Sequence, residues 1–236
     1  MGTWRTRAVA GALAAMMCVG AAACTTPPPN SGGGGLGTGD GEPTEPAGDD
    51  TVRLNELQFI GTHNSYKSAP DAPILNWLTF GAAVAPQISD ALGDPRQLNY
   101  DHAPLPLQLQ RGVRSFELDV FADPAGGTFS SPLLNRLLNL GLPRPTGVDA
   151  PGMKVLHIQD IDYRSTCPTL IGCLDELRAW SEATPGHLPV IINIELKDDA
   201  LPAPFDGTAL TPFDAAQLDA LDAEIRSVLG DRLITP

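Results

Sequence analysis

Basic clusters are missing from this sequence. Its 15 Lys and Arg face 28 Asp and Glu, a formal charge of −13 with a pI near 4.5, and no run of cations could neutralise a phosphate backbone, which argues against nucleic-acid binding. Aromatic residues are scarce at 6%, yet 42% apolar residues in 236 suffice for one sizeable core rather than two domains. The chain also lacks an apolar run of the roughly 20 residues that a bilayer-spanning helix requires. The stretch Ala8–Ala23 has sixteen.

That stretch follows Arg5 and Arg7 and ends in Ala21-Ala22-Ala23-Cys24, the pattern of an export signal. Small residues before a cysteine resemble the lipobox of bacterial lipoproteins, so residues 1–24 are expected to be a lipoprotein-type signal peptide with Cys24 lipidated. The alternative is an ordinary secretory signal cut nearby, with Cys24 a spare thiol. Removal of residues 1–23 leaves 13 basic against 28 acidic residues, a charge of −15, which anionic lipid repels; a covalent anchor would overcome this. The expected location is outside the cytoplasm, either lipid-anchored to the bacterial cell envelope or secreted. Residues 25–50, with prolines at 27–29 and glycines at 33–36, cannot offset their ordering entropy and read as a flexible linker reaching roughly 25–30 Å. The folded domain is then 51–236.

Cys18 leaves with the signal and Cys24 is the lipid site, which leaves Cys167 and Cys173. In an exported protein these suggest a disulfide that clips the start of a helix. A zinc site is the weaker alternative, because no second Cys or His pair stands nearby at ligand spacing.

The domain alternates strand-like and helical stretches, the pattern of parallel βα units. Candidate strands are Leu57–Gly61, Arg114–Phe121, Lys154–Gln159 and Pro189–Lys197, and two helices are expected. Thr169–Thr184 carries Leu170, Leu174, Leu177 and Trp180 at helical spacing; Thr211–Leu229 has Thr211 as N-cap and Phe213, Leu218, Leu221, Ile225 and Leu229 on one stripe. The stretches Trp77–Gln97 and Pro132–Leu142 look helical or irregular.

The strands carry the chemistry. In Arg114–Phe121 a period of two puts Glu117 and Asp119 on one face and Phe116, Leu118 and Val120 on the other. In the last strand Val190, Ile192, Ile194 and Leu196 alternate with Ile191, Asn193, Glu195 and Lys197, and the third carries His157 between two aliphatics. Each alone has a bland reading as a solvated edge or a structural histidine. Their recurrence near the carboxyl ends of successive strands points to an active site of TIM-barrel type. Three converging carboxylates repel one another unless a proton or a metal compensates, and oxygen-only ligands suit a hard cation.

Gly61-Thr-His-Asn-Ser-Tyr66, then Gly112-Val-Arg-Ser-Phe-Glu-Leu-Asp119, then Leu156-His157, then Pro189-Val-Ile-Ile-Asn-Ile-Glu195 together resemble the phosphatidylinositol-specific phospholipase C family, and its calcium-dependent bacterial branch most closely, over about residue 54 to the end. The resemblance implies an α/β fold of TIM-barrel type, calcium as cofactor, a phospholipid at a membrane surface as substrate, His63 and His157 as the catalytic histidines, and Asn64, Glu117, Asp119 and Glu195 as calcium ligands. The Cys167/Cys173 pair and Trp180 also look like that branch. In the implied reaction the inositol 2-hydroxyl attacks phosphorus and expels diacylglycerol, leaving a 1,2-cyclic phosphate. His157 is expected to protonate the leaving oxygen, and His63 to assist the base step or steady the phosphoryl charge, with Glu117 or Glu195 as a competing base. Lys197 is expected to hold a substrate phosphate or to pair with Asp198 or Asp199. His102 and His187 read as structural or exposed.

A whole barrel has eight strands and typically about 250 residues, whereas four strands are found here in 186 residues, so only about the first half of the barrel is expected. A truncated reading frame is the first explanation, with pairing to another chain that completes the barrel, or a degenerate remnant, as the others. Two further functions remain open. Glycerophosphodiester phosphodiesterases share the barrel and resemble Ile194-Glu-Leu-Lys197, but their first histidine is followed by Arg-Gly, where this chain has Asn64-Ser65. The non-enzymatic reading is a calcium-binding surface lipoprotein that recognises a lipid head group without cleaving it.

Overall fold

The computed structural model describes residues 53–201, 205 and 207–234. The expected signal peptide, the Cys24 lipid site and the 25–50 linker lie outside these residues. Strands β1 (Ile60–Thr62), β2 (Val113–Phe121), β3 (Lys154–Val155) and β4 (Ile191–Leu196) form one mixed sheet. Helices α1 (Ala72–Val84), α2 (Pro86–Leu92) and α3 (Leu105–Gln110) lie between β1 and β2, α4 (Leu133–Leu137) between β2 and β3, α5 (Leu170–Ala183) between β3 and β4, and α6 (Ala215–Leu229) after β4.

β2 is the central strand. β1 runs parallel along the start of one edge, with Thr62 opposite Phe116; β4 runs parallel along the other, from Ser115 opposite Ile191 to Val120 opposite Leu196. The close approach of β1 explains Gly61, where a Cβ would stand 3.1 Å from Ser115 Cβ. The expected alternation holds in β2. Phe116, Leu118 and Val120 join a core with Leu174 and Leu177 of α5 and Leu221 and Val228 of α6, against which Val190, Ile192 and Ile194 pack. Phe121 belongs to a second core with Ile74, Leu78, Leu134 and Leu156.

Three expectations need correction. β3 is antiparallel to β2, with Phe121 opposite Lys154, so the sheet is only partly parallel. A parallel return needs a crossover along the sheet face, and here Asp123 holds the chain at the carboxyl end of β2. Its carbonyl accepts from Gly152 N at 3.0 Å, and its carboxylate pairs at 3.3 Å with the buried Lys154 ammonium. β3 ends at Val155, and His157 lies at a bend just before a tight turn in which Ile158 and Asp162 bond reciprocally at 3.1 and 2.9 Å around Asp160 at φ 69°. Lastly, α6 starts at Ala215 with Asp214 as N-cap, its carboxylate accepting from Gln217 N, whereas Thr211 bridges to Ala122 and Phe213 N donates to Asp198. Thr211 and Phe213 are thus engaged at the sheet's carboxyl end. α5 begins as expected, with Thr169 Oγ1 capping Gly172 N at 3.1 Å. Short α3 had no counterpart among the expected helices.

Cys167 and Cys173 are joined by a disulfide, as expected. No helix among the described residues is long and apolar enough to cross a membrane.

Candidate functional site

Parallel register decides which carboxylates meet. Opposite Asp119 on β2 stands Glu195 on β4, and opposite Glu117 stands Asn193. The result is a cluster of Glu117, Asp119 and Glu195 with one ligand oxygen from each lying within 4.8 Å of the others. Asp119 is buried, Glu117 half-buried and Glu195 exposed, so the cluster opens to solvent on the β4 side.

Lys197 supplies the local countercharge. Its Nζ lies 2.8 Å from Glu195 Oε1 and 3.3 Å from Asp119 Oδ2. It does not pair with Asp198 or Asp199 as one expectation had it; Asp198 accepts from Phe213 N instead. Burial raises the Asp119 carboxyl above its ordinary pKa, against the opposing pull of Lys197. Glu195 is held below the usual carboxylate range by its hydrogen bond to Lys197. Burial draws Lys197 down, but its bonds to Glu195 and Asp119 outweigh that and leave it raised.

The loop after β1 reaches this cluster through its backbone. Asn64 adopts φ 50°, a left-handed conformation that asparagine tolerates better than most residues, and its N–H donates to Glu117 Oε2 at 3.2 Å. Ser65 fixes the loop from both sides: its N–H donates to the Glu117 carbonyl at 3.1 Å, while its Oγ accepts from Glu117 N at 2.9 Å. Gln108 of α3 closes the back, donating to the Ser65 carbonyl at 2.7 Å and accepting from Thr62 Oγ1 at 2.9 Å. His63 is thereby held at the rim, 74% exposed, with Nε2 3.6 Å from Glu117 Oε2. His102, expected to be structural or exposed, donates from Nε2 to the His63 carbonyl at 2.9 Å and so steadies the same loop.

Asn64 joins the cluster by its backbone, while its carboxamide is held between two phenols. Its Nδ2 donates to Tyr100 Oη at 2.8 Å, and its Oδ1 accepts from the Tyr66 hydroxyl at 3.3 Å. Burial, reinforced by the Asp119 charge, pushes the Tyr66 hydroxyl pKa far up, so Tyr66 remains a neutral donor.

His157 approaches from the turn after β3. Its Nδ1–H donates to Asp162 Oδ2 at 2.7 Å, and that oxygen also takes the buried Lys67 ammonium at 3.1 Å. His187 is structural, as expected, with Nδ1 donating to the Leu188 carbonyl and Nε2 against Ser181 Oγ, both at 2.7 Å. Sequence reasoning did not single out Asp162, Lys67, Tyr66, Tyr100 or Gln108 as site residues. An acid five residues after His157, in Gln159-Asp-Ile-Asp162, was the available signal for Asp162; Tyr100 and Gln108 carry none that periodicity would expose.

The donor set fits a hard cation on two observations. All the available ligand atoms are oxygens, and Asp119 Oδ1 is buried without a hydrogen-bond partner while an ammonium stands against the other oxygen.

The family model described as phosphoinositide phospholipase C, Ca2+-dependent, matches residues 52–236. Among solved structures, a calcium-dependent phosphoinositol-specific phospholipase C from a Gram-negative bacterium, Pseudomonas sp, matches in crystal form 2 and in a myoinositol complex. Both are at 19% identity and a TM-score of 0.34, over 57% of this chain and 38% of theirs. A second apo crystal form matches with a TM-score of 0.33. The chain thus spans 38% of the length of the first of these structures. No curated protein sequence matches it.

Proposed function

The chain belongs to the family of Ca2+-dependent phosphoinositide phospholipases C, and from that premise we propose that it contributes the acid/base and cation-binding half of an enzyme that cleaves phosphatidylinositol to diacylglycerol and inositol 1,2-cyclic phosphate. The observation that carries this reading is the register of β2 against β4, which gathers Glu117, Asp119 and Glu195 within 4.8 Å beside His63.

Glu117, Asp119 and Glu195, with Asn64 at their edge, would hold calcium, and the ion would supply positive charge where the attacking and phosphoryl oxygens become negative. The inositol 2-hydroxyl oxygen forms the new bond to phosphorus as the bond to the diacylglycerol oxygen breaks. His63, whose Nε2 lies 3.6 Å from Glu117 Oε2, takes the hydroxyl proton or passes it to that carboxylate. His157, with Nδ1 engaged by Asp162, offers Nε2 to the leaving oxygen as its proton donor. Lys197 binds a substrate phosphate once a divalent cation replaces it between the carboxylates.

The sheet is read here as the opening part of a TIM-type barrel in which β1, β2 and β4 are consecutive parallel strands. The outer edge of β4 has no strand partner among the described residues, and further strands would pair there, from the same polypeptide or from another chain. The domain assignment of 51–236, the linker and the Cys24 anchor complete this proposal, with the enzyme lipid-anchored to the bacterial cell envelope or secreted.

Phosphorus NMR of phosphatidylinositol vesicles incubated with the purified chain tests it. A cyclic inositol phosphate resonance that appears with calcium, disappears with excess chelator and falls at least about 10²-fold in His157→Ala is the expected result. Calcium binding with intact lipid would instead favour a head-group-binding lipoprotein.

A further inference from the structure

One buried network joins the two histidine segments, and from it we infer that Asp162, backed by Lys67, is a positioning residue that fixes the tautomer and ring orientation of His157. The inference rests on the phospholipase reading above for its functional consequence, though not for its geometry.

Lys67 is wholly buried; its ammonium donates to the Leu98 carbonyl at 2.8 Å and the Tyr100 carbonyl at 3.2 Å and forms an ion pair with Asp162 Oδ2 at 3.1 Å. A fully buried Lys–Asp pair adds little net stability over apolar side chains of the same size, so packing alone does not account for it. What the pair supplies is an acceptor with a fixed place. Asp162 is held by its backbone through the reciprocal bonds to Ile158 at 3.1 and 2.9 Å and by its side chain through Lys67. The oxygen that receives Lys67 is also the one 2.7 Å from His157 Nδ1.

A carboxylate oxygen can only accept, so the neutral imidazole must carry its proton on Nδ1 and present a lone pair at Nε2. When a second proton arrives at Nε2, that N–H points away from Asp162, available to a leaving group. The network also joins the two halves of the site. The Lys67 ammonium lies 4.3 Å from the centre of the Tyr100 ring, and Tyr100 Oη accepts from Asn64 Nδ2, the residue whose N–H holds Glu117. Contacts therefore run without a gap from His157 through Asp162, Lys67, Tyr100 and Asn64 to the carboxylate cluster.

The test is nitrogen-15 NMR of the histidine-labelled full chain, with His157 assigned by His157→Ala. The native protein is expected to show His157 as the Nδ1–H tautomer with a bare Nε2; an Nε2–H tautomer there overturns the inference without any variant. Asp162→Asn keeps an acceptor and should keep the tautomer. Asp162→Ala combined with Lys67→Met leaves no unpaired charge buried and should give a mixture of tautomers; an unchanged tautomer overturns the inference. On phosphatidylinositol the double variant should lose about 10²-fold in kcat with little change in KM, and Asp162→Asn should recover part of it. If the native chain shows the Nδ1–H tautomer and its loss in the double variant but cleaves no lipid, the phospholipase reading falls and the positioning role stands. Equal turnover in native and double variant sinks the positioning role and leaves the reading intact.

Discussion

Lys197 Nζ lies 3.3 Å from Asp119 Oδ2, so the one buried acid of the carboxylate cluster is already paired with a cation carried just past the end of the neighbouring strand. That ammonium also bonds Glu195, and a divalent ion entering the cluster must displace it from both. Lys197→Met should therefore raise divalent-cation affinity by about tenfold, equivalent to about 1.4 kcal/mol. It should also lower the stability of the cation-free protein by about 1–3 kcal/mol, because the buried Asp119 carboxylate loses its partner. Calcium calorimetry and denaturant unfolding with and without calcium measure both; an unchanged affinity would show that Lys197 does not compete.

Asp119→Asn is expected to act in the opposite sense on stability. Burial raises the Asp119 carboxyl, so its ionised form is a burden on the folded state that a neutral amide of the same shape relieves. The variant should unfold at higher denaturant than the native protein in chelator, and calcium should no longer stabilise it. A variant that calcium still protects would remove Asp119 from the ligand set.

The disulfide bears on the site through the strand-like segment beside it. Thr166 N donates to the Tyr66 carbonyl at 2.7 Å, one residue before Cys167, so the Cys167–Cys173 link steadies the stretch that carries Tyr66 and Lys67. Closing a loop with a sequence separation of 6 restricts the unfolded chain by about 2 kcal/mol. Reduction, or Cys167→Ser with Cys173→Ser, should cost about that in unfolding free energy. Equal stability of oxidised and reduced protein would contradict this account.

Away from the site, Glu224 on α6 gives a pH signature. Its Oε1 accepts from Met153 N at 2.8 Å, yet burial raises its carboxyl above the ordinary value. A raised folded-state pKa means that its contribution to stability is greatest below the unfolded value, near pH 4 to 4.5, and declines as the pH rises through the folded one. Glu224→Gln keeps the acceptor and removes the charge. It should flatten the stability profile above pH 4.5 and equal or exceed the native protein at pH 7; an unchanged profile would acquit Glu224.

Legibility in the sequence divided along physical lines. The faces of β2 and β4 were readable because a period of two leaves one solution: Phe116, Leu118 and Val120 inward to the helices, Glu117 and Asp119 opposite. The pairing of Asp119 with Glu195 was not, since register depends on contacts between segments far apart in the chain. His157 was misplaced onto a strand because Leu156-His157-Ile158 mimics alternation, while the cause of the turn, Asp123 holding Gly152 and Lys154, lies some thirty residues away. The start of α6 was set too early for a similar reason, with Thr211 and Phe213 bound to the sheet rather than to the helix. Of the site, the acids and histidines announced themselves by type; the groups that position them did not.

The outer edge of β4 leads to a last expectation. Ile191 and Leu196 are 38% and 40% exposed, on opposite faces of a strand with no outer partner among the described residues. Beside it runs an apolar groove lined by Leu54, Leu174, Leu177, Ile225, Leu229 and Ile234. Unpaired N–H and C=O groups bordered by apolar side chains are a template for another strand, so the purified chain should self-associate as its concentration rises. Ile191→Lys places a charge at that edge, roughly 13 Å along the strand from Glu195. It should shift sedimentation towards monomer while calcium affinity stays unchanged. A native chain that sediments as a monomer at high concentration would overturn this expectation.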